Sequence, residues 1–193
     1  MAALSAPRTS TARDIALAAA MIGATLIILW AMGRVPICTC GSVKLWFGPA
    51  ASDETSQHFS DWYTLSHVIH GFLFYAAAYA FFRHWSFGSR LAAATLVESA
   101  WEILENTSFI INRYREQTVS LDYFGDSILN SFSDILAMLL GFLLASRLPV
   151  WASIAICLFF ELLAAVMIRD NLTLNIIMLL WPMEFIKNWQ MGV

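Results

Sequence analysis

The sequence predicts an all-α protein: a polytopic transmembrane helical bundle of five full spans plus a short or re-entrant sixth helix. Two observations carry this. The chain of 193 residues is 59% hydrophobic and 13% charged, whereas soluble domains average about 45–50% apolar and about 25% charged. Its apolar residues also fall in runs that approach the roughly 20 needed to cross about 30 Å of hydrocarbon. No Pro/Ser/Gly linker separates the runs and no repeat recurs. Residues 15–193 therefore read as a single transmembrane helical domain behind a cytoplasmic tail at 1–14. A net charge of -3, with no Lys/Arg cluster to neutralise several phosphates, excludes nucleic acid as a partner.

The first run, 15–33, follows an Ala/Ser/Thr-rich start carrying Arg8 and Arg13. At about 18 residues it exceeds a typical signal-peptide core, and Arg34-Val-Pro-Ile lacks a small-x-small cleavage pattern, so an uncleaved span is expected. Cys38-Thr-Cys40 comes next. An i, i+2 disulfide is strained and two thiols make half a zinc site, so structural or incidental cysteines are expected there. Cys157, in the fifth run, reads as packing.

The second run, 63–82, opens with Tyr63, His67 and His70 on one face. The third, 91–111, contains Glu102 and Glu105 in a stripe with Glu98, within about 60° of one another at 100° per residue. Each acid at mid-membrane costs about 2.5–3.5 kcal/mol on the insertion scale. Such a stripe needs protons, partners or water, or else belongs to an interfacial helix that never spans.

The fourth run, 128–145, continues Asp126, Asn130 and Asp134 at i, i+4, i+8, with Ser127, Ser131 and Ser133 beside them. Serine and Asn also serve as packing glue between helices, and Asp126 as an N-cap. Asp134, well inside an apolar helix, points to function. The fifth run is 150–168, with Glu161 inside it. A sixth block, 172–181, is stopped by Pro182 and is too short to span alone. Six of the eight Trp lie near these ends, as an interfacial belt requires.

The short connection from Arg83 to Arg90 carries two Arg and no acid, whereas the loops at 34–62 and 112–127 are longer and acidic. A bacterial inner membrane with the N-terminus cytoplasmic is the expected setting, membrane lipids being the surroundings. Alternating chain direction then brings four span ends to the periplasmic face, and His67, Glu105, Asp134 and Glu161 each lie roughly 6–11 Å inside their boundaries.

His67, His70, Glu102, Glu105 and Asp134 are the candidate catalytic residues. Paired imidazoles and carboxylates suit zinc, iron or manganese, making His67, His70, Glu102 and Glu105 candidate ligands of a divalent metal. A hydrogen-bonded His/carboxylate network without metal, or incidental interface histidines, stay open beside it. Arg113 and Arg115, in the loop expected to cap the pocket, are candidates with Asp126 and Asn130 for binding a ligand headgroup. Neutralising nearby acids is the competing role for the two Arg.

Three phrases carry a resemblance: SDWYTLSHVIHGFLFYA, WEILENTSFIINRYREQTVSLDYFGDSILNS and RDNLTLNIIMLLWP. They resemble a small family of bacterial inner-membrane proteins with no established activity, over most of the chain after Pro36. Asp61 with His67 or His70, Glu102-x-x-Glu105, a loop Arg and Asp126-x-x-x-Asn130 before the Gly141 helix more loosely resemble VanZ-like membrane proteins. The second Glu stands where that wider family often has Gln. The resemblance implies a multi-pass inner-membrane helical protein, and VanZ itself is associated with low-level glycopeptide resistance.

Three functions follow. The leading one is a periplasm-facing pocket acting on a lipid or lipid-linked envelope molecule, in its enzymatic form an intramembrane hydrolase or transferase, metal-assisted or not. A proton- or ion-coupled transporter would need acids continuing past Glu98, and no titratable residue follows before Arg90. A non-catalytic scaffold fits the absence of GxSxG, HExxH and P-loop motifs. Substrate and oligomeric state stay open at this level.

Overall fold

Helix boundaries follow from short polar side chains placed where apolar runs begin. Ser86, Thr107, Ser127 and Asn171 each turn a side-chain oxygen onto the backbone N–H three residues ahead, satisfying a donor that the first helical turn leaves open. The computed structural model describes residues 11–118 and 121–192. Among these it forms eight helices: α1 (Thr11–Ala31), α2 (Thr64–Phe82), α3 (Phe87–Glu105), α4 (Ser108–Gln117), α5 (Ile128–Ala145), α6 (Val150–Ile168), α7 (Leu172–Leu180) and α8 (Glu184–Met191).

Four of them, α1, α2, α5 and α6, are long and apolar enough to cross a membrane. Helix α3 equals α2 in length at 19 residues, but Arg90, Glu98, Glu102 and Glu105 keep it out of that group. Five apolar spans are thus not what the helices themselves show. The sixth block is a nine-residue helix, separated by Pro182 from the eight-residue α8.

Two boundaries differ from the sequence expectation. Helix α1 begins at Thr11 and takes in Arg13 and Asp14. Asp14 is buried and accepts a hydrogen bond from Ser86 Oγ at 3.3 Å. Of the tail expected at 1–14, residues 1–10, Arg8 among them, lie outside the described residues. The third run is broken at Asn106, whose side chain leaves the helix to pair with Asp126: its Nδ2 donates to Asp126 Oδ2 at 2.9 Å, and its Oδ1 accepts from the Asp126 N–H at 2.8 Å. Thr107 then caps a new helix, α4. Ile110 and Ile111, read as the end of a span, pack instead with Tyr114 and Tyr123 against Leu179.

Helices α2 and α5 form the principal pair, and α1 lies on α3. The α2–α5 seam is closed by glycines. A Cβ on Gly71 would stand 2.1 Å from the Met138 carbonyl oxygen, and one on Gly141 would stand 2.0 Å from that of Val68. Removing both side chains lets the backbones approach, as small residues do between membrane helices. Around the seam Ala78, Ala94, Met138 and Phe142 form an apolar cluster. Helix α6 buries only Ala164, so much of its apolar surface is exposed.

The segment 32–63 contains no helix and is tied to the start of α5. The N–H groups of Ser127, Ile128 and Leu129 donate to the carbonyls of Ser56, Val35 and Pro36 at 2.8–3.1 Å. Gln57 Nε2 donates to the Gly125 carbonyl at 2.7 Å, and Ser133 Oγ to that of Phe59. Gly125 holds φ of 99°, and a Cβ there would strike Arg34 Nη1; the left-handed turn at this crowded point is one glycine tolerates. The segment is therefore held over one end of the bundle. Cys38 and Cys40 are joined in a disulfide, the pairing that strain alone argued against.

Candidate functional site

Histidines reach the α3 carboxylates because α2 and α3 run side by side with their polar faces inward. His67 and His70 are one turn apart on α2, and both rings meet Glu98. His67 Nδ1 lies 2.6 Å from Glu98 Oε1, and His70 Nδ1 lies 3.1 Å from Glu98 Oε2. One turn further along α3, Glu102 Oε1 is 3.5 Å from His67 Nδ1. From α5, Asp134 Oδ2 approaches His67 Nε2 at 3.7 Å, while Thr64 Oγ1 donates to Asp134 Oδ1 at 3.0 Å.

These groups stand beside a cavity of about 240 Å³. Its polar lining includes His67, His70, Glu105, Asp126 and Asp134. Its apolar lining includes Phe74, Val97, Trp101, Leu172 and Ile176. The Tyr114 hydroxyl sits 3.1 Å from Glu105 Oε1 and 2.8 Å from Asn175 Oδ1, and Tyr123 donates to Asp126 Oδ1 at 2.9 Å.

Around the mouth, burial dominates the acid–base behaviour. It pushes the Asp126 carboxyl up, against hydrogen bonds from Tyr123 and Asn106 that favour the anion. Burial likewise raises Asp61, against the N–H groups of Ser56 and Tyr63, and it raises the phenols of Tyr114 and Tyr123. Asp170, which accepts from Tyr63, Asn171 and Gln190, is pushed up to about 6, again by burial.

The structure gathers His67, His70, Glu105, Asp126 and Asp134 around one space and sets Glu102 in contact with His67. Three expected members lie elsewhere. Asn130 Nδ2 donates to the His58 carbonyl at 3.0 Å and pins the 32–63 segment. Arg113 Nε donates to the Leu179 carbonyl and Arg115 Nε to that of Leu121; neither residue lines the cavity. The loop expected to cap the pocket is helical as far as Gln117. Glu161, expected at the same depth, instead accepts from the N–H groups of Leu172 and Thr173 at the start of α7.

Glu98 is the residue whose importance the sequence understated. It lies at the centre of the polar cluster, and its i, i+4 relation to Glu102 was the available signal. Tyr114, Tyr123 and Asn175 are additions for which no spacing signal existed, since they come from three separate segments. Potential ligand atoms of His67, Glu102 and Glu105, and separately of His67, His70 and Glu98, lie within 4.8 Å of one another. Cys38, Cys40, Glu54 and His58 form a third such group. There the cysteines are paired, and Glu54, held low by Lys44 and then His58, is already engaged at 2.6 Å and 2.8 Å.

A family model described as a protein of unknown function, DUF2585, matches residues 29–192. A UPF0314 protein of Paracoccus denitrificans is 65% identical over 167 residues, covering 86% of each chain. One from Rhizobium meliloti is 60% identical over 162 residues, 84% of this chain and 82% of the relative. One from Agrobacterium fabrum is 52% identical over 190 residues, 98% and 96% respectively. No solved structure matches. These findings carry the closer of the two resemblances and are silent on the VanZ-like one. The chain belongs to the DUF2585/UPF0314 family.

Proposed function

We propose that this is a bacterial inner-membrane protein with α3 as a fifth span, its N-terminus cytoplasmic and its cavity open to the periplasm, acting on a lipid or lipid-linked envelope molecule. The observation that supports this best is the mixed lining of the cavity, which combines His/carboxylate groups with apolar side chains. An amphiphile fits such a space, its chain along Phe74, Val97, Trp101 and Ile176 and its head among the polar groups. Glu98 orients His67, and the His/carboxylate pair takes a proton from water or a substrate hydroxyl. With Arg113 and Arg115 off the wall, the hydroxyls of Tyr63, Tyr114 and Tyr123 and the Asn175 amide meet the head. The wider VanZ-like likeness, drawn on Asp61, His67 or His70, Glu102 and Glu105, belongs to this reading.

The test is lipid mass spectrometry on the full chain purified in nanodiscs, followed by incubation with envelope-lipid extracts. The wild type is expected to retain a specific amphiphile and convert it. His67→Ala should retain it while conversion falls about 10²–10⁴-fold, the usual contribution of a general base. A wild type with no lipid enriched over bulk, or a His67→Ala variant that converts lipid at the wild-type rate, would reject the proposal.

A further inference from the structure

The polar cluster holds more acid than its own cations balance. Glu98, Glu102 and Asp134 each approach His67, Glu105 and Asp126 share the cavity wall, and no Lys or Arg lines it. Four of these acids have donors of their own. Glu98 has the two imidazoles, Glu105 the Tyr114 hydroxyl, Asp126 has Tyr123 and Asn106, and Asp134 has Thr64. Glu102 differs: it is 0% exposed, and neither carboxylate oxygen has a hydrogen-bond partner. Buried polar atoms in native proteins are nearly always satisfied, and an exception calls for an ion or water at that point.

We infer that His67, Glu102 and Glu105 bind one divalent first-row transition cation. Their ligand atoms lie within 4.8 Å of one another, so small side-chain shifts bring all three to about 2.0–2.2 Å from a shared ion. Glu98 acts as a positioning residue. It holds His67 Nδ1 at 2.6 Å and so fixes the ring beside Glu102, as carboxylates behind metal-bound histidines do. The other group on the same histidine, with His70 and Glu98, is already satisfied by its internal hydrogen bonds and would leave Glu102 orphaned. One imidazole with carboxylates suits zinc, iron or manganese. In the substrate reading above, on which this one consequence rests, the ion supplies the positive charge that lets an anionic head approach an acidic wall.

The experiment strips the full chain in nanodiscs with chelator and titrates it with Zn²⁺ and, separately, Mn²⁺. Bound metal is counted by elemental mass spectrometry, and thermal melts confirm folding of each variant. One ion per wild-type chain is expected, with affinity falling at least about tenfold in Glu102→Gln and about 10–100-fold in Glu98→Gln. Glu184→Gln, at an exposed position of α8, should match the wild type. Sub-stoichiometric binding of both ions by the wild type, or wild-type affinity in folded Glu102→Gln, overturns the inference. Lipid mass spectrometry on the same samples separates the two proposals: metal without lipid sinks the substrate reading alone, and lipid without metal sinks this one alone.

Discussion

Helices α2 and α5 meet in two different ways along their length. At Gly71 and Gly141 the backbones touch, nothing polar intervenes, and Phe72, Met138 and Phe142 are sealed beneath. A turn or two away, at His67 and Asp134, the same two helices line a cavity, and Glu102, next to His67, has no hydrogen-bond partner. The seam resembles a structure optimised for packing. The cavity end retains buried charge that packing alone would have removed, since unpaired buried acids oppose stability. Such a division places close packing at one end of the pair and the buried polar cluster at the other.

The comparison breaks first at the seam. Gly71→Leu has no room for its Cβ against the Met138 carbonyl oxygen, and backbone cannot yield as a flexible side chain does. A loss of about 3 kcal/mol or more, the upper range for overpacking, should appear as a collapse of the melting temperature in detergent. Survival of Gly71→Leu with unchanged melting would mean the seam is not the stabilising end.

A middle-sized effect tests, through pH, the buried carboxyl that accepts from Tyr63 behind the cavity lining. The Asp170 carboxyl is pushed up to about 6 by burial, above an ordinary value of about 3.9. The folded chain therefore holds this proton more tightly than the unfolded chain between those values. The group's stabilising contribution is complete below about pH 4 and is lost as pH rises through about 6. Melting temperatures between pH 4 and 7 should decline less in Asp170→Asn than in the wild type. Equal slopes would contradict the assignment.

The smallest effect concerns the break between α3 and α4. Thr107→Ala removes the hydroxyl that accepts from the Ile110 N–H, at about 1 kcal/mol for a lost cap. Hydrogen exchange should quicken in α4 while α5 keeps its protection, because α4 leans on α7 rather than on the seam. Uniform loss across both helices would show that the two ends are not separable.

The polar cluster was partly legible in the chain because helical spacing converts position into face. Glu98, Glu102 and Glu105 had to share one side of α3, and alternating chain direction had to bring His67, Glu105 and Asp134 to one level. Arg113 and Arg115 escaped the same reasoning. Spacing assigns a face only to residues within a helix whose limits are known, and the break at Asn106 moved both Arg onto a separate helix with its own orientation. Glu161 had the right depth but the wrong neighbour, because α7 folds back onto it and takes its carboxylate as a cap.

Composition and run length by themselves determined an all-helical chain with helices apolar enough for a membrane, since both follow from local transfer free energies that need no partner. Helical periodicity likewise determined which acids share a face. Tertiary structure alone decided which of those acids found donors. Glu98 gained two imidazoles, Asp126 gained Asn106 and Tyr123, and Glu102 gained none, because satisfaction of a buried group depends on what other segments bring within about 3 Å. That distinction singles out one carboxylate in a stripe of three.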